Sequence, residues 1–177
     1  LNQTVAAMPA EYWENRQGLA YYQTVRQILE AASEGGLGSI LDVGSWDTPV
    51  ATWGDFRRRY AIDLGKAPTL PGVVSVVGDF LSWRPPELMD VVTCLQVLEH
   101  LPDGTAQRFG RRLRAVGQMI VVSVPYMWPR GAEPDHFQDP VDLEKLERIM
   151  GAPASFSSVI PDGPKSTRPR LVAIWRR

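Results

Sequence analysis

Several stretches of this chain are apolar along their whole length rather than at every second residue: "SILDV", "VVSVVGD", "LMDVVTCL" and "QMIVVSVP". A strand with one wet face alternates. A strand that is apolar throughout must be covered on both faces, which predicts a mostly parallel sheet with helices on each side. The segments between the strands fit. "GLAYYQTVRQILEAAS" has apolar residues at helical spacing and stops at Gly35-Gly36. Thr48-Pro49 reads as a cap followed by a first-turn proline, opening a short helix that ends near "GDFRRR". "DGTAQRFGRRLRAV" is a helix with a basic outer face. Asp139, Pro140 and Asp142 open another, "PVDLEKLERIM", which Gly151 stops. "YAIDLG" supplies a further strand, and "ASFSSVIP" and "RLVAIWRR" form a terminal pair.

The chain has 177 residues, enough for one domain with a real core. It is read as a single domain over 1–177, with an N-terminal helical segment over 1–36 and a sheet core over 37–177. The net charge of -1 gives no general attraction to nucleic acid or anionic membrane. Cys94 is the only cysteine, so no internal disulfide forms, and the apolar runs are too short to span a bilayer. "LNQTVAAMPAEYW" has neither the basic start nor the apolar stretch of a signal peptide, and a cytoplasmic location is expected.

Open sheets of this kind bind ligands beyond the carboxyl ends of their strands, where the strand order reverses. The residues to watch therefore follow each strand: Asp42 to Thr48, Asp63, Gly78-Asp79, Gln96 to His100, and Tyr126 onward. The succession "LDVG", "AIDLG", "GDF", "DVVTCLQVLEHLPD" and "VVSVP" resembles the class I S-adenosylmethionine-dependent methyltransferases. The resemblance covers residues 39 to 125 by motif and the remainder by element order. "MDVVTCLQVLEHLPD" is its most specific piece. It implies a Rossmann-like, doubly wound, seven-stranded sheet whose last two strands make an antiparallel hairpin.

The resemblance also implies roles. Asp42, Gly44, Ser45 and Trp46 belong to the loop that holds the cofactor's amino-acid end. Asp63 accepts from the ribose hydroxyls, Asp79 from the adenine amino group, and Phe80 packs on the ring. Gln96 lies beneath the point of methyl transfer. The loop departs from the family. After Gly44 come Ser45, Trp46, Asp47 and Thr48, where a further glycine is usual. Trp46 either blocks the pocket or covers it as a lid, while the helix start at Thr48-Pro49 offers free N–H groups to a carboxylate. A second departure is the connection "KAPTLPG", too short for the usual crossover helix, with Pro85-Pro86 breaking the next one. One sheet face near the third strand is thereby under-covered, and either the N-terminal segment or a second subunit, in a homodimer through that face, is expected to cover it.

Both histidines follow strands on the expected active face. His136, beside Asp135, is the first candidate for a general base in transfer to oxygen, and His100 the second. Each has a purely structural alternative, loop fixing for His136 and helix capping for His100. Glu133, Asp135, His136 and Asp139 share one Pro-rich loop and could be read as a metal cluster, but that spacing is a weak signal and no metal is expected in this chain. Tyr12, Trp13, Tyr21, Tyr22, Tyr126 and Trp128 either line an acceptor pocket for a sugar or flat ring, or pack. Arginines 57–59, 111, 112 and 114 read as solvated helix faces. The expected activity is S-adenosylmethionine-dependent O-methylation of a small molecule or sugar. The alternative is a non-catalytic methyltransferase-like domain that binds a partner.

Overall fold

The structure, a computed structural model, describes residues 11–162 and 168–177. The first ten residues of the expected N-terminal segment and most of the 161–168 loop lie outside the described residues. Two helices lead in, α1 (Tyr12–Arg16) and α2 (Ala20–Glu34). The strands are β1 (Ser39–Val43), β2 (Arg58–Asp63), β3 (Val74–Val77), β4 (Met89–Leu95), β5 (Gly117–Pro125), β6 (Phe156–Ile160) and β7 (Arg170–Arg176). Helix α3 (Asp103–Val116) precedes β5 and α4 (Leu143–Met150) follows it.

The seven strands form one sheet in the order β3-β2-β1-β4-β5-β7-β6. Strands β1 to β5 pair in parallel, and β7 runs antiparallel to both β5 and β6. The order reverses between β1 and β4, whose registers match Asp42 with Thr93. Each face of the sheet carries its own core. One gathers Leu113, Leu146 and Met150 of α3 and α4 over Val92, Ile120 and Ala173. The other gathers Tyr22, Val25 and Leu29 of α2, with Trp53 and Phe56, over Ile40, Val91 and Val121. This is the two-sided burial that the apolar strands β1, β4 and β5 require; β3, read as apolar throughout, does not receive it.

Helix α3 touches α4 closely at Gly110, where a Cβ would meet the Ile149 carbonyl at 2.5 Å. Asp142 caps α4 by accepting from the Lys145 amide at 2.8 Å, and Gly151 ends it in the left-handed region at φ 72°. Arg114 donates to the Met150 and Gly151 carbonyls, and Arg112 to that of Trp83. Arg59 donates to Ala51 and Gly54. These three arginines tie elements together and are not merely solvated.

Two expectations change. The segment after Pro49 makes only a three-residue 3₁₀ turn, Val50–Thr52, and Arg58 and Arg59 already belong to β2. The Thr48 hydroxyl donates instead to the Ser45 carbonyl at 2.8 Å and the Asp42 carboxylate at 3.3 Å. The bare strand β3 is open on both faces, not one. Val74 is 56% and Val77 64% exposed, and residues three apart on a strand point to opposite sides. No helix follows β2 or β3 before the next strand, as the short connections predict. Among the described residues no helix is long and apolar enough to cross a membrane.

Candidate active site

The loop after β1 is held from below. Gly44 takes φ 78°, and a Cβ there would come within 2.2 Å of the Val97 side chain. Glycine is thus required by the close pass of the β4 loop. Trp46 is also left-handed, at φ 44°, a conformation that costs a bulky residue energy and that gathers at functional sites. Its amide donates to Asp63 Oδ2 at 3.1 Å, and the Lys66 ammonium sits 5.8 Å from its ring centre. The indole therefore leans toward the loop after β2. Asp47 Oδ2 accepts from the Trp13 amide at 3.4 Å, anchoring α1. Three buried polar atoms in this loop have no partner: Ser45 Oγ, Trp46 Nε1 and Asp47 Oδ1.

Asp42 is fully buried beneath the loop. Burial pushes its carboxyl up to about 7, with the Thr93 and Thr48 hydroxyls pulling down and Asp63 pushing up. The Thr93 bond is 2.7 Å. Asp42 thus supports the loop from within the sheet.

Asp63 ends β2 half-buried. Its Oδ1 accepts from the Gly65 and Lys66 amides at 2.9 and 3.2 Å, so its remaining acceptor capacity lies at Oδ2 beside Trp46. Asp79 is exposed and accepts from the Leu81 amide at 2.9 Å, closing its own turn. Phe80 turns inward, against the expected ring contact. It is buried in the α3 core with its ring 4.9 Å from that of Phe109. An apolar residue beside an exposed acid was drawn to the nearest core, not to the cleft.

The loops after β4 and β5 meet and bury a polar network. Gln96, left-handed at φ 56°, donates to Ser123 Oγ at 3.1 Å and accepts from Arg170 Nε at 2.7 Å. Arg170 pairs with Asp162 at 3.0 Å and stacks over Trp128 at 4.4 Å. Beside it the structure gathers Glu99, His100 and His136, each offering a ligand-type atom within 4.8 Å of the others. The expected partner of His136 is replaced. Asp139 Oδ2, not Asp135, holds His136 Nδ1 at 2.7 Å, while Asp135 Oδ2 holds His100 Nδ1 at 3.0 Å. The two imidazoles meet edge to face at 4.8 Å. Asp139 is buried and its place as helix cap is taken by Asp142.

Glu99 is 1% exposed. Burial pushes its carboxyl up to about 8, against the pull of its own amide and Arg170; Asp139 pushes up and Arg16 pulls down. Its Oε2 is buried without a partner. Burial lowers His100, so its imidazole favours the neutral form. Glu99 lay in the watched stretch Gln96 to His100 but was given no role, Asp139 was read as a helix-start residue, and Arg170 was missed. "LEHLPD" reads locally as a helix entry, and Arg170 opens a strand 74 residues from Gln96.

Helix α1 reaches both loops, with Trp13 on Asp47 and Arg16 in the field of Glu99 and His100. Tyr12, Tyr21, Tyr22 and Trp128 are buried, so the expected aromatic lining is chiefly packing; the Trp13 and Tyr22 rings meet at 5.0 Å. A cavity of about 550 Å³ lies elsewhere, between α2 and residues 52–55, which lead into the start of β2.

No family model and no curated protein sequence matches the chain. Solved structures do. The N-methyltransferase NodS from Bradyrhizobium japonicum, in complex with S-adenosylhomocysteine, aligns with a TM-score of 0.69 at 14% identity, over 96% of this chain and 93% of that one. A 1,6-didemethyltoxoflavin N1-methyltransferase from Burkholderia thailandensis, with its substrate and S-adenosylhomocysteine bound, aligns at 0.67 and 17% identity, over 94% and 84%. Magnesium protoporphyrin IX methyltransferase from Synechocystis, with S-adenosylhomocysteine, aligns at 0.63 and 16%, over 96% and 89%. The chain has the class I S-adenosylmethionine-dependent methyltransferase fold.

Proposed function

We propose that this chain is an S-adenosylmethionine-dependent methyltransferase that methylates an oxygen of a small molecule, a sugar being the favoured class. One observation carries the reading. On a methyltransferase fold, the reversal of strand order has unpartnered buried polar atoms on its β1 side and, on its β4–β5 side, a buried Glu99 clustered with the partly exposed His100 and His136. Two different chemical environments thus face each other across the one place where this fold binds ligands.

The β1 side fits the cofactor. Ser45 Oγ and Asp47 Oδ1 would meet its amino-acid end, Asp63 Oδ2 its ribose, and exposed Asp79 its adenine. Bound S-adenosylmethionine supplies an electrophilic methyl group on sulfur. The chain's own part is to hold that group, align the acceptor and take up the acceptor's proton. Asp139 fixes one nitrogen of His136 and leaves the other for the hydroxyl, the arrangement of a general base. His100, whose side chain is 32% exposed against 7% for His136, is the partner nearer solvent and orients the acceptor.

Titration calorimetry with S-adenosylhomocysteine tests the reading, and Asp63→Ala sharpens it. Losing charge-assisted bonds to the ribose costs about 1.5–3 kcal/mol of affinity. Binding to the parent and equal binding to the variant would remove the ribose assignment. The alternative, a non-catalytic binding domain, is favoured by Trp46, whose indole N–H is buried within the loop. If the indole plugs a dead pocket, Trp46→Gly creates cofactor binding where the parent has none.

A further inference from the structure

We infer that Glu99, His100 and His136 form a binding site for one divalent transition-metal ion of the zinc class. Three observations point there independently of any activity. First, the three side chains converge from two different loops, with ligand atoms within 4.8 Å of one another. Tetrahedral ligation at about 2.0–2.2 Å per bond sets ligand atoms roughly 3–3.5 Å apart, so side-chain shifts of about an ångström close the site.

Second, each imidazole is already oriented as a metal ligand is. Asp135 holds Nδ1 of His100 at 3.0 Å and Asp139 holds Nδ1 of His136 at 2.7 Å, leaving Nε2 of both as the ligating atoms. A carboxylate behind each ligating histidine is the usual outer support of a metal centre, fixing ring orientation and raising basicity. Third, Glu99 Oε2 is buried with no hydrogen-bond partner, although Glu99 is 1% exposed. A buried carboxylate oxygen without a partner is costly and calls for a compensating ligand. Arg170 and Arg16 contribute positive charge nearby, but Arg170 is paired with Asp162 and donates to Gln96. Two imidazoles and one carboxylate suit zinc-class ions and leave a fourth position open, whereas magnesium prefers an all-oxygen shell.

The acceptor role of such an ion rests on the methyltransferase reading; the site itself does not. With the ion bound, an acceptor hydroxyl would take the fourth position, where the ion would raise its acidity and its proton would leave to solvent; His136 Nε2 would then be a ligand, and this would replace its proposed role as general base. The chelator-treated, untagged chain should bind one Zn²⁺ in titration calorimetry, and Co²⁺ should give a visible absorption band that Zn²⁺ bleaches. Asp135→Asn, on a half-exposed loop, should weaken Zn²⁺ binding about 10–100-fold. Glu99→Gln should lose more, with circular dichroism reporting its fold. If Glu99→Gln does not fold, Asp135→Asn alone decides. Absence of stoichiometric Zn²⁺ binding to the parent overturns the site, as does undiminished binding in the folded variants. Zinc bound without S-adenosylhomocysteine keeps the site and removes methyl transfer. S-adenosylhomocysteine bound without zinc removes the site alone.

Discussion

Strand β3, at one edge of the sheet, shows Val74 and Val77 to solvent, whereas β5 has every residue but Gln118 buried. The two regions serve one fold with different resources. Around β1 to β3 the crossovers have shrunk to loops and a 3₁₀ turn, and the polar residues there are engaged by neighbouring backbone: Asp63 by three amides, Asp79 by one. Around β4, β5 and β7 two full helices cover one face, and side chain meets side chain: Gln96, Ser123, Arg170 and Asp162 in one chain, His136 and Asp139 in another. Backbone contacts suffice to shape a loop around a ligand whose own atoms carry the chemistry. Side-chain networks are needed where the protein must hold a proton or an ion, and they need a thick, dry scaffold because an unmatched buried charge is costly.

The comparison breaks most visibly at Arg170. Its guanidinium is almost fully buried, and removing it strands Asp162 and Gln96 without their donor. Breaking a buried pair from one side costs about 3–5 kcal/mol. Arg170→Met should lower unfolding free energy by about that much in urea titration. A loss below about 1 kcal/mol, the range of exposed pairs, would show that the network on this side is no tighter than surface contacts.

The same contrast explains what could be read from the chain. The strands, the α3 limits and the terminal strand pair were legible because apolar period and turn residues are local signals, whereas the doubly wound sheet and its antiparallel hairpin came from the family resemblance. The helix expected after Pro49 was not formed. Thr48 has a better use for its hydroxyl under the loop than at a helix start, and Gly54 turns left-handed before β2. Asp63 and Asp79 were legible as strand-end acids. The site on the β4–β5 side was legible in Gln96 and its two histidines, not in their partners. Asp135 is adjacent to His136 in sequence, but in the turn that closes from Glu133 to His136 its carboxylate goes to His100, and Asp139 three residues on reaches the His136 ring. Glu99 and Arg170 become partners of the site only through packing across loops and strands distant in sequence.

Asp42 sharpens the comparison from the β1 side, where a single buried carboxyl sits under the loop. In the unfolded chain it releases its proton near the ordinary aspartate value of 3.8, and in the folded chain burial raises this to about 7. Between these values the folded state binds more protons, so this group lowers stability as pH rises through the window and adds no further change above it. Asp42→Asn removes the effect. The difference in unfolding free energy between parent and variant should move in favour of asparagine from pH 4 to 7, by up to about 1.4 kcal/mol per pH unit. Urea titrations at four pH values measure it, and a flat difference would mean that Asp42 is ionised when folded.

The smallest effect on the fold is expected at the bare edge. Val74 and Val77 lie on opposite faces of β3 and contact mainly solvent, so Val74→Lys with Val77→Lys should change the stability of the chain itself by no more than about 0.5 kcal/mol. An uncharged, apolar edge strand is nonetheless a template for pairing with another chain, and lysine is the usual means of blocking it. A homodimer through the under-covered face around β3 would also cover these valines. Sedimentation should therefore show a parent dimer that the double variant turns into a monomer, while the unfolding of the monomer barely shifts. A parent that sediments as a monomer would remove the dimer. A large loss of stability in the variant would show instead that β3 belongs to the thick half of the sheet, and the contrast between the two regions would fail at its clearest point.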